Sequence, residues 1–383
     1  MQFIFFANLA KPSSMRRAVA AHLCRTDSVV VVSEAISIIR SPFKAPMSRR
    51  ATGRLTQGAI VKYQPPHWPA RVPLLGPWLQ RLNERQLCEE LLSIAGQLPS
   101  GRRIVFYDSP SQHPLVGRLG ESLSVYLAID DRTVTVTGEE IVGERAAELR
   151  LLKSVDQVIC VSAPLAEVLR SRASDRPDLR IDVLTNGYDD ELFSPDAAPR
   201  EPLALTDVPR PRILVAGHVS DRIDWTGISR CAARRPDVAW VFVGPDDAGM
   251  TEQIAAIRAE SGADLRLFPP VVHAEIPAWI AHADVCASPY RLNSFTRASS
   301  PLKVVEYLGA GAPTITTHVS ALEPFSEVVH WLEEGDGNSY QLALERALAE
   351  GRSAEKRAAR TAAVRPHSWA RKSEELRRLL VAP

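Results

Sequence analysis

Short apolar runs rich in Val and Ile alternate along this chain with stretches whose apolar residues recur every three to four positions. The runs Ser28–Ser33, Arg103–Tyr107, Leu123–Ile129, Gln157–Ser162 and Ile181–Thr185 have the length and β-branched content of buried strands, and Phe3-Ile4-Phe5-Phe6 reads as a strand ahead of them. A second series comprises Arg212–Ala216, Val238–Val243, Leu265–Phe268, Val285–Ser288 and Pro313–Thr316. Strands buried on both faces and separated by helical patterns predict parallel sheets with crossover helices. Between the series, Pro195, Pro199, Pro202, Pro209 and Pro211 break the pattern in the manner of an extended connector. The reading is therefore two α/β units, 1–194 and 212–366, with 195–211 as linker. Trp369, Leu376, Leu379 and Leu380 mark an amphipathic last helix, and 367–383 is expected to pack back on the first unit.

Composition changes this picture little. A length of 383 residues suits two domains, and 45% apolar with 24% charged residues suits globular cores. The five cysteines are scattered with no CxxC pair, which argues against a disulfide or zinc framework and fits a reduced cytoplasmic setting. No metal site and no cofactor is expected, and no run approaches membrane-spanning length.

Charge is more informative. The net charge is +1, yet residues 1–103 hold 15 Lys/Arg against 5 Asp/Glu. Such an excess attracts a membrane surface, a pyrophosphate-linked acceptor or nucleic acid. A nucleic-acid partner is not expected, because no recognised module or stacking pattern accompanies the charge. Within Pro65–Leu92, Trp68, Val72, Leu74, Leu75, Trp78, Leu79 and Leu82 mix with Arg71, Arg81 and Arg85. This describes either peripheral contact with the inner face of a membrane or an ordinary loop and helix packed on the first sheet.

The segment Ser288 to Thr317 carries the densest chemical signal. Ser299, Ser300 and Pro301 read as helix-initiating residues, with Ser as N-cap and Pro in the first turn. A helix N-terminus offers free backbone N–H groups and a positive dipole end to a diphosphate, and Lys303 adds a full charge. Glu306, three residues on, shares a helical face with Lys303, where its carboxylate can accept both hydroxyls of a ribose. The bland alternative is an exposed i,i+3 ion pair.

Arg291-Leu292-Asn293, Thr296-Arg297, Ser300-Pro301-Leu302-Lys303 and Glu306-Tyr307-Leu308, ahead of a Gly-x-Pro strand entry, resemble the signature of family 4-like (group 1) GT-B glycosyltransferases. Asn186-Gly187-Tyr188-Asp189 with Phe193, Gly217, Arg222-Ile223-Asp224 and Val243-Gly244-Pro245 fit the same family. The resemblance implies two Rossmann-like domains facing each other across a cleft. It implies a metal-independent hexosyl- or glycuronosyltransferase, taking sugar from a nucleotide diphosphate donor, UDP-linked by expectation, to a glycan or lipid-linked acceptor of a cell-surface polysaccharide. The implied donor site comprises Gly217, His218, Arg222, Phe268, Asn293, Thr296, Ser300, Lys303 and Glu306. Asp130 and Asp131, at the carboxyl end of a strand facing the cleft, are the candidate catalytic carboxylates. His113 and His218 also stand in post-strand loops within reach of donor or acceptor. Ala298 replaces the first acid of the Glu-x7-Glu found in many retaining relatives. That departure, with the unmatched Ala7–Lys11 and Ser14–Arg17, motivates a second reading as a catalytically idle homologue acting as a scaffold.

Overall fold

The computed structural model describes residues 1–6, 15–33, 36–37, 60–63, 66–67, 76–197 and 199–381. Ala7–Lys11, Ser14, Trp68, Arg71, Val72, Leu74 and Leu75, singled out above, lie outside them. The strands of the first half are β1 (Gln2–Phe6), β2 (Ser28–Val32), β3 (Ile36–Ser37), β4 (Ile60–Tyr63), β5 (Pro66–His67), β6 (Arg103–Tyr107), β7 (Leu123–Ala128), β8 (Gln157–Cys160) and β9 (Arg180–Val183). The second half supplies β10 (Arg212–Ala216), β11 (Ala239–Val243), β12 (Leu265–Phe268), β13 (Val285–Ser288), β14 (Thr314–Thr317) and β15 (His330–Leu332).

Two parallel sheets result, as the alternation predicts. The first runs β4-β2-β1-β6-β7-β8-β9 and the second β12-β11-β10-β13-β14-β15, with β3 and β5 paired separately. In the second sheet the strand order reverses between β10 and β13, and ligands bind at such a switch point, outside the carboxyl ends of the strands. Alternation along these strands assigns each face its own core. Leu214, Ala216, Val241 and Val243 pack on one side, and Ile213, Val215, Trp240 and Phe242 on the other. In the first sheet Phe5 stacks on Phe106 with ring centroids 4.3 Å apart.

Several strands end earlier than their apolar runs. After β8, Val161 and Ser162 leave the sheet because Ser162 caps the helix Ala163–Arg172, its Oγ accepting from the Leu165 N–H at 3.2 Å. The proline-spaced stretch is also tighter than an extended tether. Leu205 and Val208 are buried in the second unit's core, and the Arg212 guanidinium donates to both of their carbonyls at 2.7 Å.

The last helix, Trp369–Val381, lies with the first unit. Trp369, Leu376 and Leu380 belong to its core, and Arg377 pairs with Asp27 at 2.5 Å. The chain crosses over beside Tyr188, whose carbonyl accepts from the Trp369 N–H at 2.9 Å. No helix among the described residues is long and apolar enough to cross a membrane.

Candidate functional site

A cavity of about 370 Å³ opens where the carboxyl ends of the two sheets meet. Its floor is the turn after β10. Gly217 there has φ +103, and a Cβ on it would stand 3.4 Å from Lys303 Nζ. Gly244, φ +147, packs under this turn so closely that a Cβ would overlap the Gly217 carbonyl oxygen. Both positions need glycine, one for approach to the cavity and one for support of the turn. Gly244→Ala is expected to push the Gly217 backbone out of place and weaken donor binding by about 10²-fold, the scale of an ångström misplacement. Calorimetric titration of the variant with UDP checks this, and unchanged affinity would contradict it.

The helix Leu302–Gly309 supplies one wall. The sequence reading places a serine at its N-cap. In the structure Pro301 occupies that position, and no side chain caps the helix. Ser300 is drawn away by the first unit, its Oγ accepting from the Asn186 N–H at 3.3 Å and its carbonyl from Asn186 Nδ2 at 2.6 Å. The first-turn N–H groups are therefore left without a side-chain acceptor at the cavity edge. In the same turn Lys303 Nζ is buried without a hydrogen-bond partner among the described residues. A buried cation left in this way is costly unless an anion joins it.

Glu306 is buried, and Nε2 of His273 meets its Oε1 at 2.8 Å. Burial pushes the Glu306 carboxyl above the usual range, more than His273 and Lys303 pull it down. Lys303 and Glu306 thus do not form the exposed ion pair of the bland reading. Tyr290, just past β13, lies between two cations, with Lys303 Nζ 5.0 Å and Arg222 Cζ 5.5 Å from its ring centroid. Burial alone would raise its hydroxyl, but Lys303 and Arg222 hold it below the ordinary tyrosine value.

The remaining predicted residues divide. Asp130, half-buried at the end of β7, lines the cavity from the opposite sheet, together with Gly217, Arg222, Ser300, Lys303 and Glu306 from the second unit. Asp131 does not line it. Its carboxylate takes the Arg172 guanidinium at 2.8 and 3.0 Å and the Thr133 N–H at 3.0 Å. These bonds hold it below the usual carboxylate range despite burial. His218 is half-exposed and pairs with Asp247 at 2.7 Å, while Phe268 packs on Trp279 at 5.2 Å. Asn293 and Thr296 form a capping box on the short helix Ser294–Arg297, and Asn293 Nδ2 reaches the Val136 carbonyl of the first unit at 3.0 Å. His113 accepts from Arg150 Nε at 3.1 Å, apart from the cavity lining.

Two polar lining residues escaped the sequence reading. Tyr290 stood inside the signature segment without an assigned role. His273 carries no motif, and only the turn after β12 brings it to Glu306. Ala298 is buried in the first unit's core, and its carbonyl accepts from Ser162 Oγ at 2.6 Å. A carboxylate at that position would enter an apolar contact between the two units.

Residues 210–350 match the family model described as Glycosyl transferases group 1. The chain is 26% identical over 200 residues to a putative teichuronic acid biosynthesis glycosyltransferase, TuaH, of Bacillus subtilis (strain 168). That match covers 50% of this chain and 48% of the relative, so it spans about half the length of the curated protein. Among solved structures, an E. coli trehalose-6-phosphate structure bound with UDP-2-fluoro glucose superposes with a TM-score of 0.73 at 12% identity, over 99% of both chains. Anabaena HepE in complex with UDP and glucose gives 0.68 at 15% identity over 100% of both. The sucrose-phosphate synthase of Thermosynechococcus elongatus gives 0.67 at 14%, over 99% of this chain and 98% of that one. The shared architecture is GT-B, two Rossmann-like units facing each other across a cleft.

Proposed function

We propose, from the match of residues 210–350 to the group 1 glycosyl transferases, that the whole chain transfers a sugar from a nucleotide diphosphate donor. One observation carries the reading. Lys303 Nζ is buried with no hydrogen-bond partner among the described residues, in the first turn of an uncapped helix, beside a glycine turn that leaves room for a ligand. A diphosphate supplies the missing charge and accepts the free N–H groups. Glu306, held by His273, is then positioned for the ribose hydroxyls. UDP is the favoured nucleotide because two structural neighbours are recorded with UDP or a UDP-sugar.

In the reaction the bond from the anomeric carbon to the diphosphate oxygen breaks, and a bond to the acceptor oxygen forms. Lys303, Arg222 and the helix N-terminus stabilise the charge gathering on the departing diphosphate. Asp130, across the cavity, is the carboxylate placed to take the acceptor proton. No metal ion or cofactor is assigned to this reading. The TuaH likeness supports a cell-surface polysaccharide as the product, with a glycan or lipid-linked acceptor. The basic first hundred residues support peripheral contact with an anionic membrane face.

Titration with UDP, followed by a nucleotide-release assay over a panel of sugar donors and acceptors, tests the proposal. Binding with turnover supports it. UDP binding without release from any combination favours the scaffold reading, and absence of UDP binding overturns the assignment of the cavity.

A further inference from the structure

The Tyr290 ring is shared by the two cations that face the cavity. Lys303 approaches it from the helix Leu302–Gly309 and Arg222 from the loop after β10. The backbone that carries the ring is fixed on both sides. The Tyr290 N–H donates to Thr317 Oγ1 at 2.8 Å, and that hydroxyl donates back to the Tyr290 carbonyl at 2.8 Å. Tyr290 also bridges Ile223, next to Arg222, and the Arg291 N–H bonds the Arg222 carbonyl at 2.8 Å. Two like charges on separate elements repel, and an aromatic face that attracts both offsets this when no anion is present.

We propose that Tyr290 is a positioning residue for the donor diphosphate, its ring serving as the common platform that holds Lys303 and Arg222 in register for the two phosphates. This rests on the reading of the cavity as a nucleotide diphosphate site. Tyr290 acts through the two cations, so the ring face carries phosphate binding, while the neutral hydroxyl, which also faces Lys303, adds little.

The test is calorimetry on wild type, Tyr290→Phe and Tyr290→Leu with UDP, and with uridine measured by displacement. Phe keeps the aromatic face and is expected within about threefold of wild type for UDP, whereas Leu loses about tenfold or more. Uridine, lacking phosphates, is expected to bind all three alike. The proposal is overturned if Leu matches wild type, if Phe fails as badly as Leu, or if Leu weakens uridine as much as UDP. Wild type that binds no UDP overturns the reading of the cavity instead.

A pH series on wild type and Tyr290→Phe keeps the proposal testable should the Leu variant not fold. The groups facing the hydroxyl are Lys303, Arg222 and Ser288, with Glu306 and His273 lining the same cavity. Ionisation of the hydroxyl would place an anion against both cations. UDP affinity in wild type is therefore expected to fall as pH rises through the lowered Tyr290 titration, and Phe is expected to lack that fall. Superimposable profiles would show that a charge on Tyr290 is not felt at the two cations and would overturn the proposal.

Discussion

Lys303→Ala is expected to lower nucleotide release about 10²–10³-fold, the scale of removing one preorganised group from a developing negative charge. The same substitution is expected to leave the unfolding midpoint unchanged or to raise it. A buried ammonium without a hydrogen-bond acceptor destabilises the unliganded protein, the Tyr290 ring offsets only part of that cost, and alanine removes it. The opposite signs make the test informative, because a residue of purely structural value would lose stability and activity together. Steady-state kinetics beside thermal melts, each with and without UDP, measure both. Turnover within threefold of wild type would remove Lys303 from the reaction.

Arg172→Ala is expected to destabilise the protein by about 3–5 kcal/mol, the cost of stranding buried charges whose partner is gone. Arg172 donates to Asp131 on one side and to Glu148 at 2.7 Å on the other, and all three side chains are almost wholly buried. The Tyr126 hydroxyl donates to Glu148 at 2.9 Å, completing the network beneath the sheet edge that carries Asp130. Burial already pushes the Glu148 carboxyl above its usual range, and loss of the guanidinium removes its strongest counterweight. Urea unfolding with an unchanged slope gives the number. A loss below about 1 kcal/mol would show that solvent reaches the cluster. Asp131→Asn is expected to register in the same assay ahead of any effect on turnover.

How far each feature could be read from the sequence follows the range of the interaction that sets it. Strands such as Arg103–Tyr107 and Arg212–Ala216 are visible because burial on both faces leaves a local apolar run. Lys303 and Glu306 stood out because one turn of helix fixes their spacing. Asp130 and Asp131 looked equivalent because a dipeptide does not reveal that Arg172, 41 residues away, claims the second of them. Asn293 and Thr296 belong to a motif-like run, yet their side chains satisfy a short helix's own backbone. His273 was silent because its partner Glu306 lies 33 residues further on.

The return of the helix Trp369–Val381 to the first unit affects how the protein is made. Trp369, Leu376 and Leu380 complete a core whose other members belong to residues 3–184, Ala298 excepted. As the chain leaves the ribosome, the unit begun first is finished last, its apolar groove open while the second unit is synthesised and folds. Arg377 then closes on Asp27, tying the returning helix to the residue just ahead of β2. Loss of Leu376 and Leu380 would therefore damage the half of the molecule that was translated first.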